Sequence, residues 1–391
     1  MSVARLVCRA VRMGLVIAAA ALVLAGCGGG GSERDDFLVG VVEDSVRLPA
    51  PAAARERLEA VREAGFNALR ITSIWTPGQA EPTQAELGIL RNVAEASQAT
   101  GVRLFVAVYH AGSATTPRSP EDRADFASYV ASLPRELPIR DVIIGNEPNL
   151  NRFWMPQFGP AGEDVAARDY GLLLAECYDA LKAVSEDVNV IGGALAPRGS
   201  DRPELSRDTH SPTAFLRDLG LFYRQSGRDR PLMDTLAYHP YETNSSVAPG
   251  NPHPESTTMT LGDYDRLRTL LGEAFEGTEQ EGEDLPILYT EFGVESRIPD
   301  EKADLYDERE FASVQPVDEQ TQAEHYTTAI RLAYCQETVI GILLFHVFDE
   351  IDLRGWQSGV RYVDDTPKAS YETVKREAEA ARAGDVECDE G

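Results

Sequence analysis

Two glutamates in this sequence each end an apolar run, which makes them the first candidates for chemistry. The run 142–145 is followed by Asn146 and Glu147, and the run 287–290 is followed by Glu291. A carboxylate that ends a buried strand is costly unless it has a partner or a task. We therefore expect both glutamates to belong to one functional site.

A pair of carboxyl groups facing each other across a cleft can cleave a glycosidic bond. One group must be protonated, so that it can donate to the leaving oxygen. The other must be ionised, so that it can attack the anomeric carbon. Because two nearby charges repel, such a pair tends to retain one proton. The residues alone also allow two structural carboxylates or a site that has lost activity.

The elements around these residues alternate between short apolar runs and amphipathic stretches. Most runs are continuously apolar, as is typical of parallel strands buried on both faces. The predicted strands are 37–42, 68–74, 103–109, 142–145, 188–192, 234–238, 286–290 and 340–347. The predicted helices are 55–64, 84–100, 122–133, 166–184, 213–225, 261–274, 319–336 and 368–383.

Eight strands alternating with eight helices predict an α/β fold, a single-domain (β/α)8 TIM barrel. A doubly wound open sheet is the alternative, but no glycine-rich dinucleotide loop follows the first strand. In a barrel, Glu147 on strand four and Glu291 on strand seven point into the same mouth. The long segments that would wall this mouth are 149–162, 196–211, 242–260 and 293–316.

The motif Asn146-Glu147-Pro148 on strand four, with Glu291 on strand seven, resembles glycoside hydrolase clan A, the superfamily of cellulases, β-mannanases and β-xylosidases. The resemblance covers nearly the whole barrel. It implies a carbohydrate substrate and hydrolysis with retained configuration, in which Glu147 is the acid/base and Glu291 the nucleophile. It also implies that Asn146 binds the sugar 2-hydroxyl, and that neither a metal nor an organic cofactor is needed.

Three further residues match positions of the clan. Arg70, near the end of strand two, matches the arginine that supports the nucleophile, although it could instead pair with Glu43 or Asp44. His239 and Tyr241, at the end of strand six, match the His-x-Tyr pair beside the nucleophile. Both could also be hydrogen-bonded core residues.

Aromatic side chains are expected in a carbohydrate site because their faces stack on sugar C–H surfaces. The clan usually has a tryptophan at the end of strand eight, where this sequence has none. Trp356, in the following loop, is the candidate replacement. Trp75, Trp154 and His110 are further candidates for substrate contact at strand ends, and a packing role is the alternative for each.

The beginning of the chain has the pattern of an export signal. Arg5, Arg9 and Arg12 precede the uncharged apolar run 14–24, which is too short to span a bilayer. The run ends in Leu24-Ala25-Gly26-Cys27, which resembles the bacterial lipoprotein box and implies cleavage before a lipidated Cys27. An ordinary signal peptide is the alternative.

This organisation predicts an exported protein that Cys27 anchors to the outer face of a bacterial membrane. The predicted segments are a signal peptide (1–26), a glycine-rich tether (27–34), the barrel (35–384) and a C-terminal tail (385–391). Removal of the signal peptide takes away three arginines and no acidic residue.

Charge and cysteine content exclude other classes of function. The formal net charge of −27 argues against a nucleic-acid partner and suits a neutral or cationic ligand. Besides Cys8 and Cys27 the chain has Cys177, Cys335 and Cys388, with no metal-binding spacing. We expect a disulfide between Cys335 and Cys388, because oxidising compartments favour such bonds, and a buried free Cys177.

Two other functions remain open at this point. The first is a carbohydrate-binding lipoprotein that keeps the barrel without turnover, which the missing strand-eight tryptophan favours. The second is a metal-dependent barrel hydrolase or isomerase that uses His110, Glu147, His239 and Glu291 as ligands. The absence of a His-x-His pair on strand one argues against the second.

Overall fold

A computed structural model of the chain describes residues 36–203 and 207–388. The predicted signal peptide, Cys27 and the tether all lie outside the described residues. Within the described ranges, no helix combines the length and the apolar character that crossing a membrane requires. The described residues belong to one compact unit.

Eight parallel strands pair in sequence order and close into a barrel, because β8 pairs with β1 along Leu38 to Val42. The predicted (β/α)8 barrel is therefore confirmed. The strands are β1 (Leu38–Val42), β2 (Ala68–Trp75), β3 (Arg103–His110), β4 (Asp141–Ile144), β5 (Asn189–Leu195), β6 (Thr235–Tyr238), β7 (Ile287–Phe292) and β8 (Val339–Phe345).

One long helix lies between each strand and the next, and the last follows β8. They are α1 (Pro51–Glu63), α2 (Gln84–Thr100), α3 (Pro120–Glu136), α4 (Val165–Val184), α5 (Pro212–Ser226), α6 (Tyr264–Phe275), α7 (Glu319–Cys335) and α8 (Tyr371–Ala383). Polar side chains cap the first turns of five of them, each accepting a backbone N–H: Thr83, Ser119, Asp164, Ser211 and Asp318.

Two predicted helices begin later than expected. Residues 261–263 form a short 3-10 turn before α6. The last helix begins at Tyr371 and not at Lys368, because the Lys368 ammonium is buried in an ion pair with Asp349 (2.7 Å) and donates to Ser296 Oγ (2.8 Å). A fully desolvated lysine needs such partners, and they hold the chain out of the helix.

The alternation of side chains along each strand produces two apolar layers. Inward-facing residues fill the barrel interior, and the outward-facing set packs under the helices. The interior residues are Leu38, Val42, Ala68, Phe105, Ala107, Ile143, Ile191, Ala194, Ala237, Leu288 and Leu343. This packed interior closes the barrel below its C-terminal rim, so ligands have access only to the rim itself.

The cysteine predictions are confirmed. Cys335, the last residue of α7, forms a disulfide with Cys388, and the two Cα atoms are 5.5 Å apart. Cys177 is free and buried on α4. The disulfide ties the segment that follows α8 to the barrel.

Candidate active site

The end of β4 has an unusual backbone that directs Glu147 into the barrel mouth. Gly145 has a φ of 86°, where an added Cβ would lie 3.1 Å from the ring of Tyr170. Glu147 itself has a φ of 41°, which costs a non-glycine residue roughly 1–2 kcal/mol. Its N–H donates to Ala194 O at 2.8 Å, which holds this conformation in place. Strain of this kind is concentrated at functional sites.

The two glutamates meet around one histidine. His239 Nδ1 lies 3.1 Å from Glu147 Oε1 and 3.5 Å from Glu291 Oε2. One oxygen of each carboxylate and one imidazole nitrogen all lie within 4.8 Å of one another. The glutamate side chains are 15% and 13% exposed, whereas His239 is fully buried beneath them. His239 therefore contacts both carboxylates from below and does not line the cleft, so a direct contact with substrate is not available to it.

Arg70 joins three strands at the floor of the site. Its Nη1 forms an ion pair with Glu291 and donates to Thr290 O at 3.2 Å. Its Nη2 donates to Asn146 Oδ1 at 2.9 Å. Burial alone would lower the pKa of Arg70, but the charge of Glu291 raises it above the ordinary value. The pairing with Glu291 was the predicted one.

The alternative partners of Arg70 are engaged elsewhere. The Glu43 carboxylate accepts hydrogen bonds from the backbone N–H groups of Ser45 and Val347, which links β1 to the segment after β8. Asp44 accepts the N–H of Thr72 at 2.7 Å. Arg70 is thus committed to Glu291 and its neighbours.

Tyr241 adds a second donor to Glu291. Its hydroxyl donates to Glu291 Oε2 at 3.2 Å, and its ring lies 5.2 Å from that of Trp356. Burial, reinforced by the neighbouring charges of Glu291 and Glu147, raises the pKa of Tyr241 well above its ordinary value. The hydroxyl therefore remains a hydrogen-bond donor.

The surroundings of the two carboxylates differ in the charges and hydrogen-bond donors that reach them. Burial would raise the pKa of Glu291, but His239, Arg70 and the hydrogen bond from Tyr241 together lower it below the ordinary value. Arg70 and Tyr241 bind Glu291 and not Glu147, whose side-chain partner is His239. Glu291 is accordingly the carboxylate that is held ionised.

Both carboxylates open into a cleft of about 1160 Å³ at the C-terminal rim of the barrel. Trp356 lines this cleft from the loop after β8, and its ring packs 5.0 Å from that of Phe345, the last residue of β8. Trp356 is partly exposed. An aromatic face is thus present in the cleft that Glu291 lines, although β8 itself ends without a tryptophan.

Three predicted substrate contacts are wrong, because their side chains face the helices and not the cleft. Trp75 is fully buried, donates Nε1–H to Gln79 O at 2.8 Å and packs against Phe126 of α3. Trp154 is 1% exposed and packs between His110 and Tyr170.

His110 follows the same alternation. On β3 the side chain of Tyr109 lines the cleft, so that of the next residue points outward. The His110 Nδ1 lies 2.8 Å from Gly112 O, and burial lowers its pKa. The four-residue ligand set of the metal-dependent alternative is therefore not assembled, since His110 lies apart from Glu147, His239 and Glu291.

Some cleft residues were not anticipated from the sequence. Tyr109, Arg198, Glu242 and Glu295 all line the cleft. Tyr109 had a signal that could have been used, namely its inward phase on β3 relative to Ala107. The other three lie in loops, where no periodicity indicates which side chain faces a ligand. Burial raises the pKa of Glu295 to about 7.

No protein family model matches the sequence, and no curated protein matches it either. Solved structures of barrel proteins do align with it. A β-galacturonidase from Eisenbergiella tayi has a TM-score of 0.51 and 13% identity; the alignment covers 88% of this chain and 51% of that one, so this chain spans about half of that protein.

Two other solved structures also align with most of this chain at low sequence identity. A GH39 β-xylosidase from Caulobacter crescentus has a TM-score of 0.54 and 18% identity, with 87% of this chain and 70% of that one covered. The virulence factor SghA from Agrobacterium tumefaciens, solved with its substrate analogue salicin, has a TM-score of 0.55 and 14% identity, with 88% and 96% covered. This chain therefore shares its fold with these solved structures, namely the closed eight-stranded barrel that the resemblance to glycoside hydrolase clan A predicts.

Proposed function

We propose that this protein is a retaining β-glycoside hydrolase in which Glu291 is the nucleophile and Glu147 the acid/base. The observation that carries the proposal is the unequal environment of two facing carboxylates. Arg70 and Tyr241 bind only Glu291, and His239 lies between Glu291 and Glu147. Pairs of carboxyl groups with divergent protonation are the machinery of glycoside hydrolysis.

The separation of the two groups supports retention of configuration. Retaining enzymes hold their carboxyl groups about 5–5.5 Å apart, and inverting enzymes need about 6.5–9.5 Å to admit a water molecule. Oxygens of Glu147 and Glu291 lie within 4.8 Å of each other. A water molecule and a sugar ring do not fit together in that gap, so direct attack by Glu291 is the favoured first step.

In that first step a Glu291 oxygen forms a bond to the anomeric carbon as the bond to the leaving oxygen breaks. Glu147 transfers its proton to the leaving oxygen and becomes a carboxylate. In the second step Glu147 takes a proton from water, and the resulting hydroxide displaces Glu291 from the sugar. The product hydroxyl thus carries the original configuration, and both glutamates return to their starting states.

The geometry also accounts for the change in the role of Glu147. While Glu291 is ionised, its negative charge favours the protonated form of the nearby Glu147. Once Glu291 becomes an ester it loses that charge, and an ionised Glu147 is no longer opposed. The same side chain can therefore act as acid first and as base second.

Asn146 and Trp356 are the proposed contacts with the sugar in the donor subsite. The Asn146 Oδ1 accepts a hydrogen bond from Arg70, which leaves its amide N–H groups to donate toward the cleft. Trp356 offers a ring face next to Glu291. The β-xylosidase and salicin-bound neighbours support a carbohydrate ligand for this barrel.

The test is hydrolysis of a panel of aryl β-glycosides, namely β-glucoside, β-xyloside, β-mannoside and β-galactoside, by the purified protein. The sugar released first should be the β anomer. Proton NMR, recorded before mutarotation, identifies the released anomer. Release of the α anomer first would contradict retention. Binding of these glycosides without any turnover would instead favour the non-catalytic carbohydrate-binding alternative.

We further propose that the protein is exported and held at the outer face of a bacterial membrane by a lipid on Cys27. The Leu24-Ala25-Gly26-Cys27 motif supports this, and the Cys335–Cys388 disulfide agrees with an oxidising compartment. Metabolic labelling with a radioactive fatty acid should mark the wild-type protein, and Cys27→Ser should abolish the label. Equal labelling of both proteins would contradict the proposal.

A further inference from the structure

Three arginines line one side of the cleft in this otherwise acidic protein. Arg152 lies in the loop after β4, and Arg198 and Arg207 lie in the loop after β5. All three are accessible to solvent, although part of the Arg198 side chain is buried, and none forms an ion pair with a carboxylate in the ranges 36–203 and 207–388. Their positive charge therefore faces the cleft without a direct ion-pair partner among the described residues.

The other side of the cleft has the opposite charge. Asp44 in the segment after β1, Glu295 after β7 and Glu350 after β8 line it together with Glu291. Arg70 is on this side too, but its charge is already engaged by Glu291. Apart from Glu147 and Glu242, the charged residues of the cleft are thus divided, with arginines after β4 and β5 and carboxylates after β7, β8 and β1.

The position of Glu147, the proposed acid/base, indicates which part of a substrate faces the arginines. Glu147 must lie beside the leaving oxygen, so the leaving group departs on the side of β4 and β5. The Glu147 N–H donates to Ala194 O of β5, and Arg198 follows the end of that strand by three residues. Partial burial lowers the pKa of Arg198, and the charges of Glu147 and Glu242 oppose that shift, which agrees with its place near the acid/base.

Arg198 is also held in place. Its Nη1 donates to Glu242 O at 3.0 Å, so the guanidinium is tied to the loop after β6. The other guanidinium N–H groups have no protein acceptor in the described part of the chain. An arginine whose orientation is already restricted loses less entropy when it binds a planar anion with two parallel hydrogen bonds.

We propose that the leaving-group side of the cleft binds a carboxylate or similar anionic group on the unit beyond the cleaved bond, with Arg198 as its main contact and Arg152 and Arg207 as support. The glycone on the opposite side is uncharged. This inference rests on the proposed glycosidase function and names the class of its substrate. A local cluster of arginines is needed to bind the anion, because the net charge of −27 repels an anion at longer range.

The experiment compares two substrates with the same glycone, 3-carboxyumbelliferyl β-glycoside and its neutral carboxamide, using the glycone that the aryl panel identifies. Wild-type protein should hydrolyse the carboxylate with a kcat/KM about tenfold higher, through a lower KM, because hydrogen bonds to charged groups are the strong ones. The advantage should shrink as salt is added, since exposed charges are screened.

Arg198→Gln should remove this advantage, so that the carboxylate and the carboxamide are hydrolysed with equal kcat/KM, as expected for loss of a charge-assisted contact. Arg152→Gln and Arg207→Gln should each reduce the preference by a smaller factor. Arg91→Gln, which changes an exposed arginine of α2 away from the cleft, is the matched control and should retain the full preference.

Equal kcat/KM for the two substrates in wild type, or an unchanged preference in Arg198→Gln, overturns the proposal while the glycosidase function stands. Faster hydrolysis of an aryl β-glucuronide than of the matching β-glucoside also overturns it, because the anion would then lie on the glycone side. If no glycoside is turned over, the proposed function fails. Fluorescence titration of the same two glycosides then still measures whether the carboxylate binds more tightly and whether Arg198→Gln removes the difference.

Discussion

At the scale of single residues, the site depends on how Arg70, Tyr241 and His239 distribute their interactions between two identical functional groups. A buried guanidinium, a phenol hydroxyl and a nearby imidazole all favour the ionised form of a carboxylate. Glu291 receives all three, whereas the side-chain partner of Glu147 is His239. The proposed division of roles between nucleophile and acid is therefore a property of their neighbours.

Glu147→Gln and Glu291→Gln should each lower kcat by about 10³-fold or more, because each removes a group that takes part in bond making or proton transfer. In Glu291→Gly, added azide should restore turnover and produce a glycosyl azide of inverted configuration, which gas or liquid chromatography with mass spectrometry and NMR would identify. Glu276→Gln, at the exposed end of α6, is the control and should behave as wild type. Undiminished activity in Glu291→Gln would remove the assignment of the nucleophile.

Arg70→Met should lower kcat/KM by about 10²-fold and shift the acidic limb of its pH profile to higher pH. The sign follows from the lowered pKa of Glu291: Arg70 favours the ionised form, so its loss raises that pKa and more alkaline solution is needed to ionise the nucleophile. The measurement is kcat/KM against pH.

Arg103→Met is the matched control for Arg70→Met. It also removes one partner of an arginine–carboxylate pair, that with Asp141, but at the opposite end of the strands. Its acidic limb should coincide with that of wild type. An acidic limb that does not move in Arg70→Met would show that Arg70 does not set the protonation of Glu291.

Among the secondary-structure elements, the end of β5 supports the backbone conformation of Glu147, which follows β4. The register of β5 against β6 shifts between Gly193 and Leu195, which marks a β-bulge. Gly193 has a φ of 90°, and the bulge presents Ala194 O to the N–H of Glu147. Bulges are a frequent means of redirecting a side chain next to an active site.

Gly193→Ala should destabilise the fold by about 2 kcal/mol or more, because the new Cβ meets a positive φ and lies 2.9 Å from Ala237 O. Activity should fall as well, since the bulge supports Glu147. Gly227→Ala is the control: its φ is also positive, at 66°, but nothing lies within 4 Å of the added Cβ, so only about 1 kcal/mol should be lost and activity kept. Denaturant unfolding measures the loss of stability, and kcat measures the loss of activity. Equal effects of the two substitutions would argue against a role of the bulge in supporting Glu147.

At the scale of the whole molecule, the disulfide closes a long segment that contains β8 and α8. Cys335 and Cys388 are separated by 53 residues in sequence. A link across such a segment restricts the unfolded chain and stabilises the fold by about 2–4 kcal/mol. The rest of the described chain is held by strand pairing around the closed barrel.

Cys335→Ser with Cys388→Ser should therefore lower Tm by several degrees, as should a reducing agent added to wild type. The reducing agent should have no further effect on the double variant. Cys177→Ala, which removes the free buried cysteine, should remain sensitive to the reducing agent. Insensitivity of the wild type would mean that the bond contributes nothing to stability.

The order of strands and helices, the two catalytic candidates and the disulfide could all be predicted from the amino-acid sequence. These features are readable because they depend on local patterns: apolar runs of strand length, and glutamates placed directly after them. In a barrel, where the carboxyl ends of all strands meet at one rim, knowing the strand number of Glu147 and Glu291 was enough to bring them together. The pairing of Arg70 with Glu291 was implied by the resemblance to clan A, and the strand pattern alone left Glu43 and Asp44 as alternative partners.

The direction of the remaining side chains and the contacts between loops became clear from the three-dimensional fold. Trp75 and His110 end β2 and β3, but each lies an odd number of residues from the cleft residue of its strand, Arg70 or Tyr109, so the alternation turns it to the helices. Trp356 and Arg198 reach the cleft from loops whose path depends on contacts distant in sequence. The physical reason is that strand pattern is local, whereas the lining of the cleft is set by packing between loops that follow different strands.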